Sequence, residues 1–544
     1  MQPTAARARS PKPLRRGRHA KNSCHAGLLL LATAQAHAAG AACPRPAAGS
    51  VVERPAALYS SNGVLNVSLG YYTAVDDAGH TLFCFLTPDG QQSPTLHVNP
   101  GDTLNVALTN NISAPGGAAE MMTNATDACG DPTMNAASVN MHFHGTNTAP
   151  KCHGDEVIHT LVNPGETFNY TIKIPANEPP GLYWYHPHVH TLSEAALLGG
   201  ASGVIEVEGI ANLQPAVSGL PERILVIRDQ LVQSAKARPP AGTPPTWDVS
   251  LNYVPVIYPD YVAPVLQTKA GAREFWRVTN AAANTIADLQ VVYDGTAQKL
   301  QVAALDGVPT GSQDGKRQGT IVTQTDILIP PGGRAEFIVK APSKKVQSAA
   351  LVTNTIDTGH FGDKDPLRTL AKIQNVKAPP GLPLVPKRSG PPNVQRFENL
   401  ADVEPTAART LYFSEDDAEH YFITVDGQTE EAFDPNNPPA IVTTQGAVED
   451  WTVQNRTAED HEFHIHQVHF LLEAVNGVAI PKKQQQFYDT YQVPYWLGGG
   501  DYPSITVRMD FRGPVIGDFV YHCHILKHED RGMMAIIRVQ KAKS

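Results

Sequence analysis

Residues 521–534 read Tyr521-His522-Cys523-His524-Ile525-Leu526-Lys527-His528-Glu529-Asp530-Arg531-Gly532-Met533-Met534. A histidine lies five residues past the cysteine and a methionine ten past it. One thiolate, imidazole nitrogen and a thioether at this spacing form the donor set of a blue-copper centre, in which two His and one Cys lie in a plane under a weak axial Met. The flanking histidines carry the reading further. Neighbouring side chains of a β-strand face opposite sides, so His522 and His524 point away from the side that Cys523 serves. One strand end would then touch two metal sites joined through a few covalent bonds, which is wiring for electron transfer.

Short alternating apolar runs bounded by Gly, Pro, Asn and Asp extend this strand reading over the chain from Val64 onward. Thr103–Leu108, Thr167–Ile172 and Val204–Glu208 form a first set, and Ile224–Ile227, Phe275–Val278 and Ala335–Val339 a second. Thr410–Phe413, Asp450–Val453, Ile505–Met509 and Ala535–Val539 form a third. Their density, with 43 Gly and 45 Pro and no helix-rich segment, predicts an all-β chain of packed sandwiches. Asn99-Pro-Gly-Asp-Thr, Asn163-Pro-Gly-Glu-Thr and Pro330-Pro-Gly-Gly-Arg each precede a predicted strand, as the turn of a repeated module would. At 544 residues the chain exceeds one ordinary domain. We place boundaries near 212 and 400, giving domains over 45–212, 213–400 and 401–544. The Pro-rich stretch from Ala378 to Pro392 is the second linker.

The first 38 residues read as an export signal. Arg7, Arg9, Lys12, Arg15, Arg16, Arg18 and Lys21 make a basic leader without acidic residues. An apolar run at Leu28–Leu31 and the small-residue pattern Ala36-His37-Ala38 follow. The Arg15-Arg16 pair is compatible with twin-arginine export, although the rest of that pattern is missing. The formal charge of −9 becomes more negative once these basic residues are set aside. Such an acidic chain argues against nucleic acid and anionic membrane surfaces as partners. No apolar stretch reaches the roughly 18 residues of a spanning helix, which argues against membrane insertion. A periplasmic or secreted location follows. Cys24 lies in the leader and Cys523 in the metal motif, so Cys43, Cys84, Cys129 and Cys152 are left for two disulfides. Connectivity is not legible from sequence; proximity alone pairs Cys43 with Cys84 and Cys129 with Cys152.

Four short segments concentrate the histidines: His142-Phe-His144-Gly145, His186-Pro-His188, His461-Glu-Phe-His464-Ile-His466, and His522-Cys-His524 with His528. Each contains a His-X-His pair, and on a strand both imidazoles of such a pair share one face. Four pairs supply enough nitrogen for a cluster of three metals with room for an oxygen species. Imidazole alone suits copper, zinc or iron; the neighbouring thiolate and thioether favour copper. A closed zinc site would need neither an electron path nor an axial thioether. His190 and His469 lie off the pattern, as supporting or surface groups.

These four segments, in this order and with these separations, resemble the copper motifs of three-domain multicopper oxidases, in particular bacterial laccase-like enzymes. The resemblance covers about 45–544. It implies three cupredoxin-like Greek-key β-sandwich domains and four copper ions, with the trinuclear cluster between the first and third domains. By motif position it implies type 1 copper on His461, Cys523, His528 and Met533, with Met533 preferred over Met534. Type 2 copper falls on His142 and His464. The type 3 pair falls on His144, His186, His188, His466, His522 and His524. Glu529 matches the proton-relay glutamate of similar enzymes, and Asp155 is its counterpart after the first motif. Asp489 is expected to order a loop. Glu462 stands where a proline is common and Gln467 where a glycine is common; neither change removes a ligand.

The implied activity is one-electron oxidation of phenols or aromatic amines coupled to four-electron reduction of dioxygen to water. A metal-ion oxidase acting on cuprous or similar ions is the alternative. It would call for a methionine-rich docking segment, and Met121, Met122 and Met134 are the one loose cluster among eight methionines. A non-catalytic periplasmic copper-binding protein should have lost cluster ligands, and none is missing. Length and the fourfold His-X-His set argue against a two-domain nitrite reductase.

Overall fold

The computed structural model describes residues 43–113, 123–124, 129–130, 132–231, 244–312, 319–379, 381–387, 396–416 and 418–542. The basic leader with Cys24, the pair Met121-Met122 and part of the Pro-rich linker, residues 380 and 388–392, lie outside these residues.

Three β-sandwiches follow one another along the chain. In the first, a sheet ordered Ala57–Tyr59, Thr95–Val98, Gly203–Val207, Gly181–His186, His142–His144 packs on a second built around Val64–Val75, Thr103–Asn110 and Glu166–Lys173. Alternation along Thr103–Asn110 decides which side faces inward. Leu104, Val106 and Leu108 enter the core with Leu96, Val98 and Ile205 of the facing sheet, while the residues between them stay half-exposed. The second sandwich centres on Glu222–Gln230, Arg273–Asn280 and Arg334–Lys340. The third centres on Ala407–Glu415, Val448–Asn455 and Ser504–Asp510, facing a sheet of Ile441–Thr444, Met534–Gln540, Gly517–Cys523, His461–Ile465 and Thr490–Val493. Among the described residues the helices are short, the longest being Ser193–Leu198. The chain is thus all-β, as the run pattern predicts.

A common pairing recurs in all three sandwiches. Val64–Val75 runs parallel to Thr103–Asn110, Glu222–Gln230 to Arg273–Asn280, and Ala407–Glu415 to Val448–Asn455. The repeated Pro-Gly phrases sit where a module would need them, immediately before Thr103–Asn110, Glu166–Lys173 and Arg334–Lys340. The sandwiches meet in a shared apolar cluster. Leu182, Trp184 and Val204 of the first pack with Ile224, Val226 and Ala283 of the second and Leu526 of the third. Leu526 opens the four-residue helix Leu526–Glu529, so this packing bears directly on His528 and Glu529.

Disulfides join Cys43 to Cys84 and Cys129 to Cys152, the pairing that proximity favours. Cys523 is a free, buried thiol. No helix among the described residues is long and apolar enough to cross a membrane.

Candidate metal centres

Strand register assembles the histidines. His142–His144 pairs antiparallel with Gly181–His186, setting His142 opposite His186. In the third sandwich His461–Ile465 pairs with Gly517–Cys523, setting Phe463 opposite Cys523 and His464 opposite His522. The two histidine-bearing sheets then meet across the junction. His142 stacks on His466 at 3.7 Å between ring centroids, and His144 on His464 at 4.0 Å.

Three buried histidine groups result, each with its donor atoms within 4.8 Å of one another: His142, His144 and His464; His144, His186 and His524; and His188, His466 and His522. A fourth joins His461, Cys523 and His528. There Cys523 Sγ lies 3.6 Å from Nδ1 of each histidine and the two nitrogens lie 3.1 Å apart, a triangle of soft and borderline donors. Side chains alternate at the strand end: Cys523 faces this triangle, while His522 and His524 face the other groups.

Hydrogen bonds set how the rings are turned. His142 Nδ1 meets Asp155 Oδ1 at 3.0 Å, His464 Nδ1 the main-chain oxygen of Asp489 at 2.8 Å, and His186 Nδ1 that of Pro187 at 2.9 Å. His144 is turned the other way, with Nε2 at 3.2 Å from Asp489 Oδ1. The opposite nitrogens, Nε2 of His142, His186 and His464 and Nδ1 of His144, are buried and have no hydrogen-bond partner. So are both nitrogens of His524. Burial first, and neighbouring histidines second, push His144, His188, His464 and His466 well below the usual imidazole range, and burial drives His522 down to about 3. Neutral rings with orphaned lone pairs turned inward are what a metal cluster requires. Burial likewise pushes the Cys523 thiol well up, so its thiolate needs a cation beside it.

Met533 is fully buried in the core that holds Cys523, and its backbone is tied to both ends of the motif. Cys523 N–H donates to its oxygen and its own N–H donates to His528 O, each at 3.0 Å. Met534 faces the other way, into a cluster with Val157, Phe433 and Val520.

Both departures from the common motif acquire a structural reason. Gln467 has a positive φ of 62°, a backbone shape that glycine adopts freely and other residues adopt at about 1 kcal/mol or more. Its side chain offsets that cost by donating to Asp155 Oδ2 at 2.9 Å, tying the third sandwich to the carboxylate that orients His142. Glu462 donates its main-chain N–H to Cys523 Sγ at 3.4 Å, which proline could not do. Its carboxyl is wholly buried, neither oxygen has a hydrogen-bond partner, and burial holds it well above the usual range.

Glu529 lies with Oε2 at 3.3 Å from His522 Nδ1 and Oε1 at 3.8 Å from His188 Nε2. Burial, and then the charge of Asp530, raise its pKa well above the ordinary carboxylate range. Asp489 is more than the loop anchor expected. It touches His144, and Arg334 grips it bidentately with both contacts at 2.6 Å. Arg334 comes from the middle sandwich, immediately after the turn Pro330-Pro-Gly-Gly. In that turn Gly332 has φ +85°, and a Cβ there would lie 2.9 Å from His524 and 3.0 Å from His144. Arg334, Gly332 and Asp306, whose Oδ1 accepts Arg334 N–H at 2.8 Å, were missed by sequence reasoning. The one available signal was the arginine that stands where the other two repeated turn phrases have threonine. His469 is buried against the main-chain oxygen of Asp306 at 2.8 Å, a supporting position.

Two cavities reach the two regions. One of about 710 Å³ lies over the Cys523 triangle, lined by Glu415, Glu419, Tyr421, Glu459, Trp496 and Lys527 among others. Glu459 Oε1 lies 3.3 Å from His528 Nε2, and Tyr421 stacks on that ring at 4.4 Å. Burial pulls Glu459 upward, but His528 and His461 hold it down to about 2; Glu415 beside it is pushed up to about 7 by burial and by Glu459. The other cavity, about 340 Å³ and mostly apolar, runs between Val157, Phe433 and Met534 to His188.

Comparison with known proteins agrees with this geometry. The multicopper oxidase family is matched over residues 133–210 and 402–543, the stretches that hold all four motifs. A multicopper oxidase of Staphylococcus haemolyticus is 22% identical over 458 residues, covering 82% of this chain and 81% of that one. Among solved structures, a Campylobacter jejuni multicopper oxidase described as a metallo-oxidase superposes with TM-score 0.65 at 21% identity, covering 92% of this chain and 96% of that one. A bacterial laccase-like multicopper oxidase from Ochrobactrum sp. superposes with TM-score 0.63 at 19% identity, covering 90% and 100%. The chain belongs to the multicopper oxidases, oxidoreductases that use dioxygen, and the sandwiches are cupredoxin-like.

Replacing Arg334 by methionine would leave Asp489 and Asp306 as buried carboxylates without their cation. A loss of roughly 3–5 kcal/mol is expected, read as an earlier unfolding transition in denaturant, with Arg334→Lys intermediate because the paired geometry is lost.

Proposed function

We propose that this oxidase removes single electrons from phenols or aromatic amines and passes them to dioxygen, which leaves as water. Four copper ions would be held: one by His461, Cys523 and His528 with Met533 as a further weak donor, one by His142 and His464, and a pair by His144, His186 and His524 and by His188, His466 and His522. Copper, when bound, supplies the one-electron and dioxygen chemistry. The observation that carries the reading is the strand end at Cys523, where one residue faces the sulfur triangle and both its neighbours face the histidine groups. In this reading the three domains span 45–212, 213–400 and 401–544.

The protein's own residues divide the remaining work. His528 Nε2 meets Glu459, which lines the larger cavity and is placed to hold a phenol hydroxyl and take its proton as the electron leaves. His461 is sealed, with Nε2 on Thr457 Oγ1 at 2.8 Å, so reductants meet the site on the His528 side. Dioxygen reduction consumes protons. Glu529, kept protonated by burial between His522 and His188, is placed to deliver them. Asp155 orients His142 and is a second station. The apolar cavity ending at His188 is a path for dioxygen that keeps it apart from the reductant. Two disulfides suit an oxidising compartment, so we propose a periplasmic or secreted protein.

A second reading, oxidation of a metal ion, is favoured by one feature: Glu415, Asp416, Glu419 and Glu459 line the mouth over His528. Among the described residues its lining is carboxylate-rich and holds no methionine, which suits an oxygen-seeking divalent ion.

Dioxygen uptake by the copper-loaded protein should be faster with a phenol than with cuprous ion; a large preference for the metal would reverse the assignment. Glu529→Gln should slow dioxygen consumption by about 10²-fold or more while bleaching of the blue colour by substrate in the absence of oxygen stays unchanged. Glu462→Pro removes an N–H donor to sulfur and should lower the potential of the blue centre, because that bond stabilises the electron-rich reduced state. Glu462→Gln keeps the donor and should leave the potential near its starting value in the same redox titration.

A further inference from the structure

A second polar row lies on the first sandwich, away from all four motifs. Thr95–Val98 and Gly203–Val207 run parallel, with His97 directly beside Glu206, and Ala57–Tyr59 sets Tyr59 beside His97 on the other side. Leu96, Val98, Ile205 and Val207 fill the sandwich core, so alternation turns His97, Glu206 and Glu208 to the opposite face. That face is covered by the second sandwich rather than by water: His97 and Glu206 are each 2% exposed.

The three side chains converge. His97 Nδ1 lies 2.9 Å from Glu208 Oε1 and 3.4 Å from Glu206 Oε2. These spacings are near the ~3.3 Å edge that donors at about 2.0–2.1 Å make around a tetrahedral ion. Tyr59 stacks on the imidazole at 4.2 Å and fixes its plane. Glu206 Oε2, buried and turned toward His97, has no hydrogen-bond partner, while its other oxygen is taken by Arg277. Arg277 also serves Glu222 at 3.3 Å and Glu336 at 2.6 Å. Three carboxylates therefore gather around one guanidinium. A surface cavity of about 590 Å³, lined by Tyr59, His97, Glu208 and Asn212, gives a hydrated ion a way in.

We propose that His97, Glu206 and Glu208 form a site for a divalent cation of the zinc type, separate from the copper centres, which ties the first sandwich to the Arg277 cluster of the second. One imidazole and two carboxylates suit such an ion, with water or a cavity-side ligand completing the shell.

The test is a zinc titration of the copper-loaded protein, followed by calorimetry and by elemental analysis after gel filtration. One zinc per chain beyond the copper, with a raised thermal midpoint, is expected. Glu208→Gln, at the half-buried rim, should weaken zinc binding at least tenfold, and His97→Asn should abolish it, both at unchanged copper content. If His97→Asn does not fold, the comparison of Glu208→Gln with the unaltered protein decides. The proposal fails if the copper-loaded protein takes up no zinc. It fails equally if the variants hold zinc as tightly as the unaltered protein, because the ion would then sit elsewhere.

Discussion

A neutral imidazole has one nitrogen that donates and one that accepts, and the site is organised around that asymmetry. Eight histidine side chains and their neighbours are packed out of water at the junction of the first and third sandwiches, where a charged ring would be costly. Burial therefore favours the neutral form, and a hydrogen bond on one nitrogen decides which lone pair remains. Asp155 settles His142, the Asp489 carbonyl His464, and the Asp489 carboxylate His144. These second contacts determine where donor atoms point as firmly as the strands determine where the rings are. Without them the same histidines would be a polar defect in an apolar junction.

The middle sandwich supplies none of the clustered histidines, yet it reaches the site. Arg334 holds Asp489, which in turn orients rings from both other sandwiches, and Gly332 lets the preceding turn lie against His524 and His144. The salt bridge spans two sandwiches and is fully buried. Its value is in specificity of arrangement, since a buried pair gains little net energy over an apolar replacement. A carboxylate so constrained cannot rotate away from His144.

This explains which parts were legible in the sequence. The His-X-His pairs, Cys523, His528 and Met533 are read from local spacing, because a strand converts sequence separation into a face directly. The strands themselves are read from alternation, as along Thr103–Asn110. Asp489 is brought to Arg334 and Gly332 over 155 or more positions of chain by sandwich docking, and no local pattern encodes that. Gln467 was visible as an oddity, but its positive φ and its bond to Asp155 belong to the folded junction. Glu462 is subtler still. Its side chain drew notice, whereas the group that touches sulfur is its main-chain N–H.

The two cavities show why separating the sites matters physically. Over His528 the walls are acidic and wide, suited to a donor that must shed a proton with its electron and leave. Toward His188 they are apolar and narrow, which admits a small uncharged gas and disfavours ions. A single site serving both would put a carboxylate-lined, water-filled mouth beside histidines that must stay neutral and dry. In the proposed function the chain avoids this by using the period of one strand: Cys523 faces the reductant side, its neighbours the dioxygen side, and only electrons need cross between them. In the same proposal, protons for the dioxygen side come from a group stored within it. Glu529 is buried beside His522 and His188, one residue beyond His528, so the same short helix serves both regions.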